Sequence, residues 1–210
     1  MGKRIGVGCI LLGVLCLMSA VGLVVYNRWE AGNAETVSQD LLAQMQSVMD
    51  VSQQELPEEG IEAPEAAEKL PGEIPPGEMA TVEVDGLDCI GILSVPALNL
   101  ELPVLTDWSY AKLKKSPCHY YGTYYEPNFV IAAHNYDSHF GRLSQLQPGD
   151  VVVFTDVDGA DRYYEVVLLE TLPQEATLEM ITSGFDLSLY TCTPGGASRV
   201  TVRCSRIPGV

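Results

Sequence analysis

Basic residues are scarce in this chain of 210: twelve Lys and Arg stand against 28 Asp and Glu, for a formal net charge of -16. Nucleic acid is excluded as the main partner, because neutralising phosphates takes clustered Lys and Arg. Histidine is scarcer still, with only His119, His134 and His139 present. No internal repeat is visible. A disulfide framework is also missing once the six cysteines are placed. Cys9 and Cys16 lie in an apolar N-terminal run, and Cys192 belongs to a motif described below. The remaining Cys89, Cys118 and Cys204 cannot all pair with one another, and read as small buried apolar side chains, with a disulfide between two of them left open.

Charge is absent altogether from Ile5 to Tyr26. Those residues make roughly 33 Å of helix at about 1.5 Å each, enough for a hydrocarbon core of about 30 Å. Lys3 and Arg4 precede the run, which keeps residues 1–4 in the cytoplasm and sends the rest outward. The stretch is longer than a signal-peptide core, so an uncleaved anchor over 5–26 fits better than a cleaved leader. Residues 27–50 read as a stalk whose amphipathic helix starts at an Asn33 cap. Val37, Leu41, Leu42, Met45, Val48 and Met49 recur there at helical spacing. Residues 51–79 are rich in Glu, Pro and Gly, cannot form a core, and are expected to be a disordered linker. From residue 80 to 210 the chain is long enough for one domain with its own core.

That domain is a series of short alternating or apolar runs: Cys89–Val95, Leu100–Val104, Phe129–Ala133, Val151–Thr155, Arg162–Glu170, Asp186–Cys192 and Arg199–Cys204. Turn residues separate them, and Asp158-Gly159 is the clearest hairpin turn. The pattern predicts an all-β barrel or sandwich. Two short helices are expected, near Trp108–Lys115 and Leu178–Ser183.

The most informative stretch is Leu187-Ser-Leu-Tyr-Thr-Cys192-Thr-Pro-Gly-Gly-Ala-Ser-Arg199-Val-Thr-Val-Arg203. It reads as strand, turn and strand, with a thiol ending the first strand and a guanidinium opening the second. A nucleophile and a cationic oxygen-binding group are two parts of an acyl-transfer site. A histidine able to do acid–base work ends another apolar run, in Phe129-Val-Ile-Ala-Ala-His134-Asn-Tyr. Alternation puts Arg199, Thr201 and Arg203 on one strand face, with Arg203 about 13 Å further along.

Three segments in this order resemble the sortases, membrane-anchored cysteine transpeptidases of Gram-positive bacteria. The first is Ile90-Gly-Ile-Leu-Ser-Val-Pro96 through Pro103-Val. The second runs from Val130-Ile-Ala-Ala-His134-Asn-Tyr to Gln147-Pro-Gly-Asp150. The third is Leu189-Tyr-Thr-Cys192 followed by Arg199-Val-Thr-Val-Arg203. The match departs from the family pattern at Ala133, where glycine is usual, and in a short interval between Cys192 and Arg199. The resemblance implies a closed eight-stranded β-barrel with one or two short helices, behind a transmembrane helix and linker. It implies that Cys192 attacks the scissile carbonyl of a C-terminal sorting signal similar to Leu-Pro-X-Thr-Gly. His134 then acts as acid and base, Arg199 holds the oxyanion, and Thr191 contacts the signal peptide. An amine resolves the thioester, from a peptidoglycan precursor or a pilin lysine. The lack of an aromatic lid motif and of a C-terminal apolar helix favours the wall precursor.

No cofactor or metal is expected. No carboxylates group convincingly for calcium, and Cys118, His119 and His139 lack zinc-ligand spacing. His139 is expected at the surface or just behind the site. Two alternatives stay open: a catalytically silent peptide-binding barrel, and a cysteine peptidase that uses water as acceptor.

Overall fold

The computed structural model describes residues 2–54 and 78–208. Most of the expected acidic linker falls on 55–77, outside the described residues. One helix, α1 (Gly2–Gln54), carries both the apolar run and the stalk. It passes straight through Asn33, so no second helix begins there. From residue 8 to 26 it is apolar and exposed, with a mean hydropathy of 2.6 over 18 residues, long enough to cross a membrane. Its second half has a different surface. Ala34, Ser38, Leu41, Met45 and Met49 form a buried stripe at three- and four-residue spacing.

Nine strands follow: β1 (Val82–Val84), β2 (Leu87–Val95), β3 (Leu100–Leu105), β4 (Cys118–Tyr121), β5 (Phe129–Ala132), β6 (Val151–Asp156), β7 (Asp161–Pro173), β8 (Leu187–Cys192) and β9 (Ser198–Arg206). Two short helices, α2 (Tyr110–Leu113) and α3 (Thr177–Ile181), sit at the expected places. The sheet order is β1-β2-β3-β4-β5-β8-β9-β7-β6, and β6 returns to pair with β2. Eight strands therefore close a barrel, as expected, and β1 is an extra short strand on the first residues of β2. Two neighbouring pairs, β3 with β4 and β5 with β8, are parallel; the rest are antiparallel.

Closure depends on a local device in β2. The strand is irregular between Cys89 and Gly91, where its free edge changes partner from β1 to β6. A Cβ on Gly91 would lie 2.3 Å from the Thr155 carbonyl oxygen and 2.6 Å from the Phe154 ring, so only glycine admits this approach. Inside the barrel, Tyr124, Phe129 and Phe154 pack edge-on and tilted within a core that includes Ile131, Leu189 and Val202. Arg162 lies over the Tyr124 ring at 4.1 Å and is paired at 2.7 Å with buried Asp156, which also accepts from the β6–β7 turn.

A second cluster lies outside the barrel, where Leu41, Met45 and Met49 of α1 cover Leu87, Cys89, Ile92, Leu105 and Cys118. Each such side chain contributes about 1.5–3 kcal/mol by burial. A protein beginning at Ala80 is therefore expected to melt below one beginning at Glu30 and to bind an apolar dye. Parallel thermal melts check this; equal melting would mean that the helix seam adds no stability.

Candidate active site

Three strand ends build the site. In the parallel pair, Ala132 is the partner of Tyr190, and the Ala133 amide donates to the Tyr190 carbonyl at 3.2 Å. Two further steps along both chains from the Ala132–Tyr190 pair set His134 abreast of Cys192. In the antiparallel pair, Cys192 is the direct partner of Arg199. Alternation sends Val200, Val202 and Cys204 into the barrel, so Cys192 and Arg199 share the outer face.

Cys192, His134 and Arg199 all line one cleft of about 170 Å³. Trp108, Tyr110 and Leu113 around α2 form one wall, joined by Tyr120 of β4; Pro173, Thr177 and Met180 at α3 form the other. Tyr190 supports the floor, its ring edge-on to Tyr120 at 5.3 Å, and burial pushes its hydroxyl pKa up. Tyr190 was findable in sequence, since it stands two residues before Cys192 and so on the same face. The aromatic wall was not, because Trp108 and Tyr120 reach the cleft only through the fold.

The thiols sort by environment. Cys89, Cys118 and Cys204 are free and buried, as expected. Burial raises their pKa values to about 11, about 12 and about 12, which keeps them protonated. Cys192 is half-buried and opens on the cleft. Among the described residues it is the one thiol of the barrel with access to solvent.

His134 stands two residues past the end of β5, with its ring 4.9 Å from that of Tyr136. Its Nε2 is buried without a hydrogen-bond partner. Burial lowers its pKa, the Glu30 carboxylate opposes that shift, and Lys114 adds to it. The neutral imidazole, able to take a proton, is thus favoured at neutral pH. Ala133, the departure from the family pattern, is buried and has no positive φ, so its methyl is accommodated without strain.

Arg199 donates from Nη1 to the Gly196 and Ser198 carbonyls at 2.9 and 3.1 Å. The short interval after Cys192 is a tight turn, closed by Thr193 and Ser198, and that turn holds the guanidinium. Thr191 stands elsewhere. It is buried, and its hydroxyl donates to the Ala133 carbonyl at 2.8 Å, tying β8 to β5 beside His134. It is not among the residues that line the cleft, and its hydroxyl is engaged by this tie.

Arg203 shares the outer face as alternation predicts, but it is a latch. It is 1% exposed and pairs with Glu170 at 2.8 Å. It also donates to Ser188 and to the Met180 and Glu179 carbonyls of α3. His119 lies apart from the cleft, with its ring nitrogens against the Thr106 and Gly122 carbonyls.

Of the two places expected for His139, the structure has the one behind the site: it is fully buried, near His134 and beside α1 at Ala34. Burial first, and the nearby His134 second, hold its pKa down to about 4. An unfolded histidine titrates near 6.5, so the unfolded chain binds the proton first as pH falls. His139 therefore supports the fold above about 6.5 and loses that support between about 6.5 and 4. Stability is expected to fall by about 2 kcal/mol from this residue between pH 7 and 5. Melts of wild type and His139→Gln at the two pH values check it; the variant's pH slope should be smaller.

The comparisons agree with this architecture. The family model for the sortase domain matches residues 93–207. Sortase A from Corynebacterium diphtheriae is similar in structure, with 23% identity and a TM-score of 0.53, over 59% of this chain and 63% of that one. Sortase C1 from Streptococcus agalactiae gives 24% identity and a TM-score of 0.54, over 61% and 72%. Sortase C2 of pilus island 1 from group B Streptococcus gives 25% and 0.53, over 60% and 77%. This chain thus spans less than two thirds of the Corynebacterium chain. No curated protein matches. With the family model covering more than half of its length, the chain belongs to the sortase family, whose members are cysteine transpeptidases.

Proposed function

We propose that this protein is an active transpeptidase that cleaves a sorting signal similar to Leu-Pro-X-Thr-Gly and passes the acyl group to an amine. The observation that carries the reading is the cross-strand pairing of Cys192 with Arg199, beside a buried and unpartnered His134, in one cleft. His134 takes the thiol proton as Cys192 Sγ bonds to the scissile carbonyl carbon. Negative charge then develops on the carbonyl oxygen, and Arg199 donates to it from a nitrogen not engaged by the turn. The C–N bond breaks, and His134 returns its proton to the departing amine. The thioester left on Cys192 is opened by a second amine, which gives up a proton to His134. The acceptor fits an amine of a cell-wall precursor, and the aromatic wall fits the apolar residues of the signal. On this reading α1 anchors the protein as a single span, with residues 1–4 inside and the barrel outside.

The test uses intact mass. Incubation with a library of sorting-signal peptides should add an acyl mass that peptide mapping assigns to Cys192. An added amine should convert that adduct to transpeptidation product. Resolution by water alone would make the protein a peptidase, and no adduct across the library would make it a silent barrel.

A further inference from the structure

We infer that the segment Trp108–Lys115 is a membrane-surface patch that rests on an anionic lipid bilayer beside the exit of α1, so that the cleft opens at headgroup level. This rests on the reading of α1 as a membrane span. The apolar run ends at Tyr26, and Glu30 follows about 6 Å higher on the same helix. Headgroups occupy about 5–7 Å outside each face of the hydrocarbon core. Glu30 is paired with Lys114, which ties the segment around α2 to the helix at that level. The level is thus fixed by a contact between the anchor and the barrel.

The surface there has the chemistry of an interface. Tyr26 and Trp29 are more than half exposed on α1, and Trp108 and Tyr110 are 44% and 76% exposed on the barrel. Trp and Tyr favour the membrane–water boundary because an apolar ring carries a polar tip. Lys112, Lys114 and Lys115 supply three of the chain's twelve basic residues within one short segment. Lys112 is paired with the exposed Asp107 and Lys114 with Glu30, which leaves a local excess of positive charge on a strongly acidic protein. Elsewhere acidic residues repel an anionic surface, so this is the face that such a surface accepts. Trp108, Tyr110 and Leu113 also form a wall of the Cys192 cleft. Contact with lipid therefore fixes where the cleft opens, and it suits substrates presented at the bilayer surface.

The chain has two tryptophans, Trp29 and Trp108, which makes each a separate probe once the other is replaced. The full chain is reconstituted in vesicles of phosphatidylglycerol and phosphatidylcholine, with acyl chains brominated near the headgroup. In W108F, Trp29 should be quenched; this reports the span. In W29F, Trp108 should also lose emission relative to unbrominated vesicles, and the loss should shrink in pure phosphatidylcholine. Lys112→Gln with Lys115→Gln should reduce the Trp108 loss and leave that of Trp29 unchanged. If Trp29 is quenched and Trp108 emits equally in both vesicles, the surface patch is overturned and the span stands. If neither is quenched, the span itself fails and the patch with it. Equal quenching of Trp108 in neutral and anionic vesicles would overturn the selection of anionic lipid.

Discussion

Cys192→Ala is expected to fold, keep the cleft and form no acyl adduct, whereas Arg199→Met forms one about 10²–10³-fold more slowly. The two differ because sulfur supplies the covalent bond, and no other thiol of the barrel can replace it. Cys89, Cys118 and Cys204 are buried and held protonated. Arg199 supplies only stabilisation of developing charge, and loss of one such donor costs about 10²–10³ in rate, or roughly 3–4 kcal/mol. Arg199→Lys should fall between wild type and Arg199→Met, since an ammonium keeps the charge but not the planar fork. Single-turnover thioacylation, followed by mass, reads all three. A wild-type rate in Arg199→Met would remove the guanidinium from the reaction. An adduct on Cys192→Ala would move the nucleophile elsewhere.

Arg203→Met should be the most destabilising of the single changes considered, at about 3 kcal/mol. Breaking a buried ion pair costs about 3–5 kcal/mol when the partner charge is stranded. Here Glu170 is 31% exposed and regains water, which favours the lower end. The remaining cost comes from the Met180 and Glu179 carbonyls at the end of α3 and from the Ser188 hydroxyl, all of which lose their donor. At about 2–4 °C per kcal/mol for a domain of this size, Tm should drop by about 6–12 °C. Because α3 is a wall of the cleft, KM should rise more than kcat falls. A wild-type melting curve would show that the latch contributes nothing to stability.

The strands were legible wherever alternation ran for five residues or more, and the turn at Asp158-Gly159 was legible from its chemistry. Gly159 has a φ of 82°, as that turn requires. The two strands that sequence reading missed, β1 and β4, are three and four residues long. Strand β4 meets β3 through a single bridge, Leu105 to Cys118, so its existence depends on the fold around it. The stalk was misread at its start because Asn33 is a residue type that caps helices. Burial of Ala34 and the stripe below it outweighs that local signal. Of the site residues, Cys192, His134 and Arg199 converge as the motif suggested. Thr191 and Arg203 differ because alternation tells which face a side chain takes, not what already fills the space in front of it. His139 sits in a polar stretch, and packing beside α1 and the Tyr136 ring, which that stretch does not announce, removes it from water.

The last strand of the chain, β9, lies between β8 and β7 in the sheet. A polypeptide emerging N-terminus first therefore carries Cys192 before it can close the barrel. Until Ser198–Arg206 slots into that gap, β7 and β8 have no common neighbour, Arg199 has no place opposite the thiol, and α3 has no latch. Ring closure and the pairing of Cys192 with Arg199 therefore arrive together, with β9.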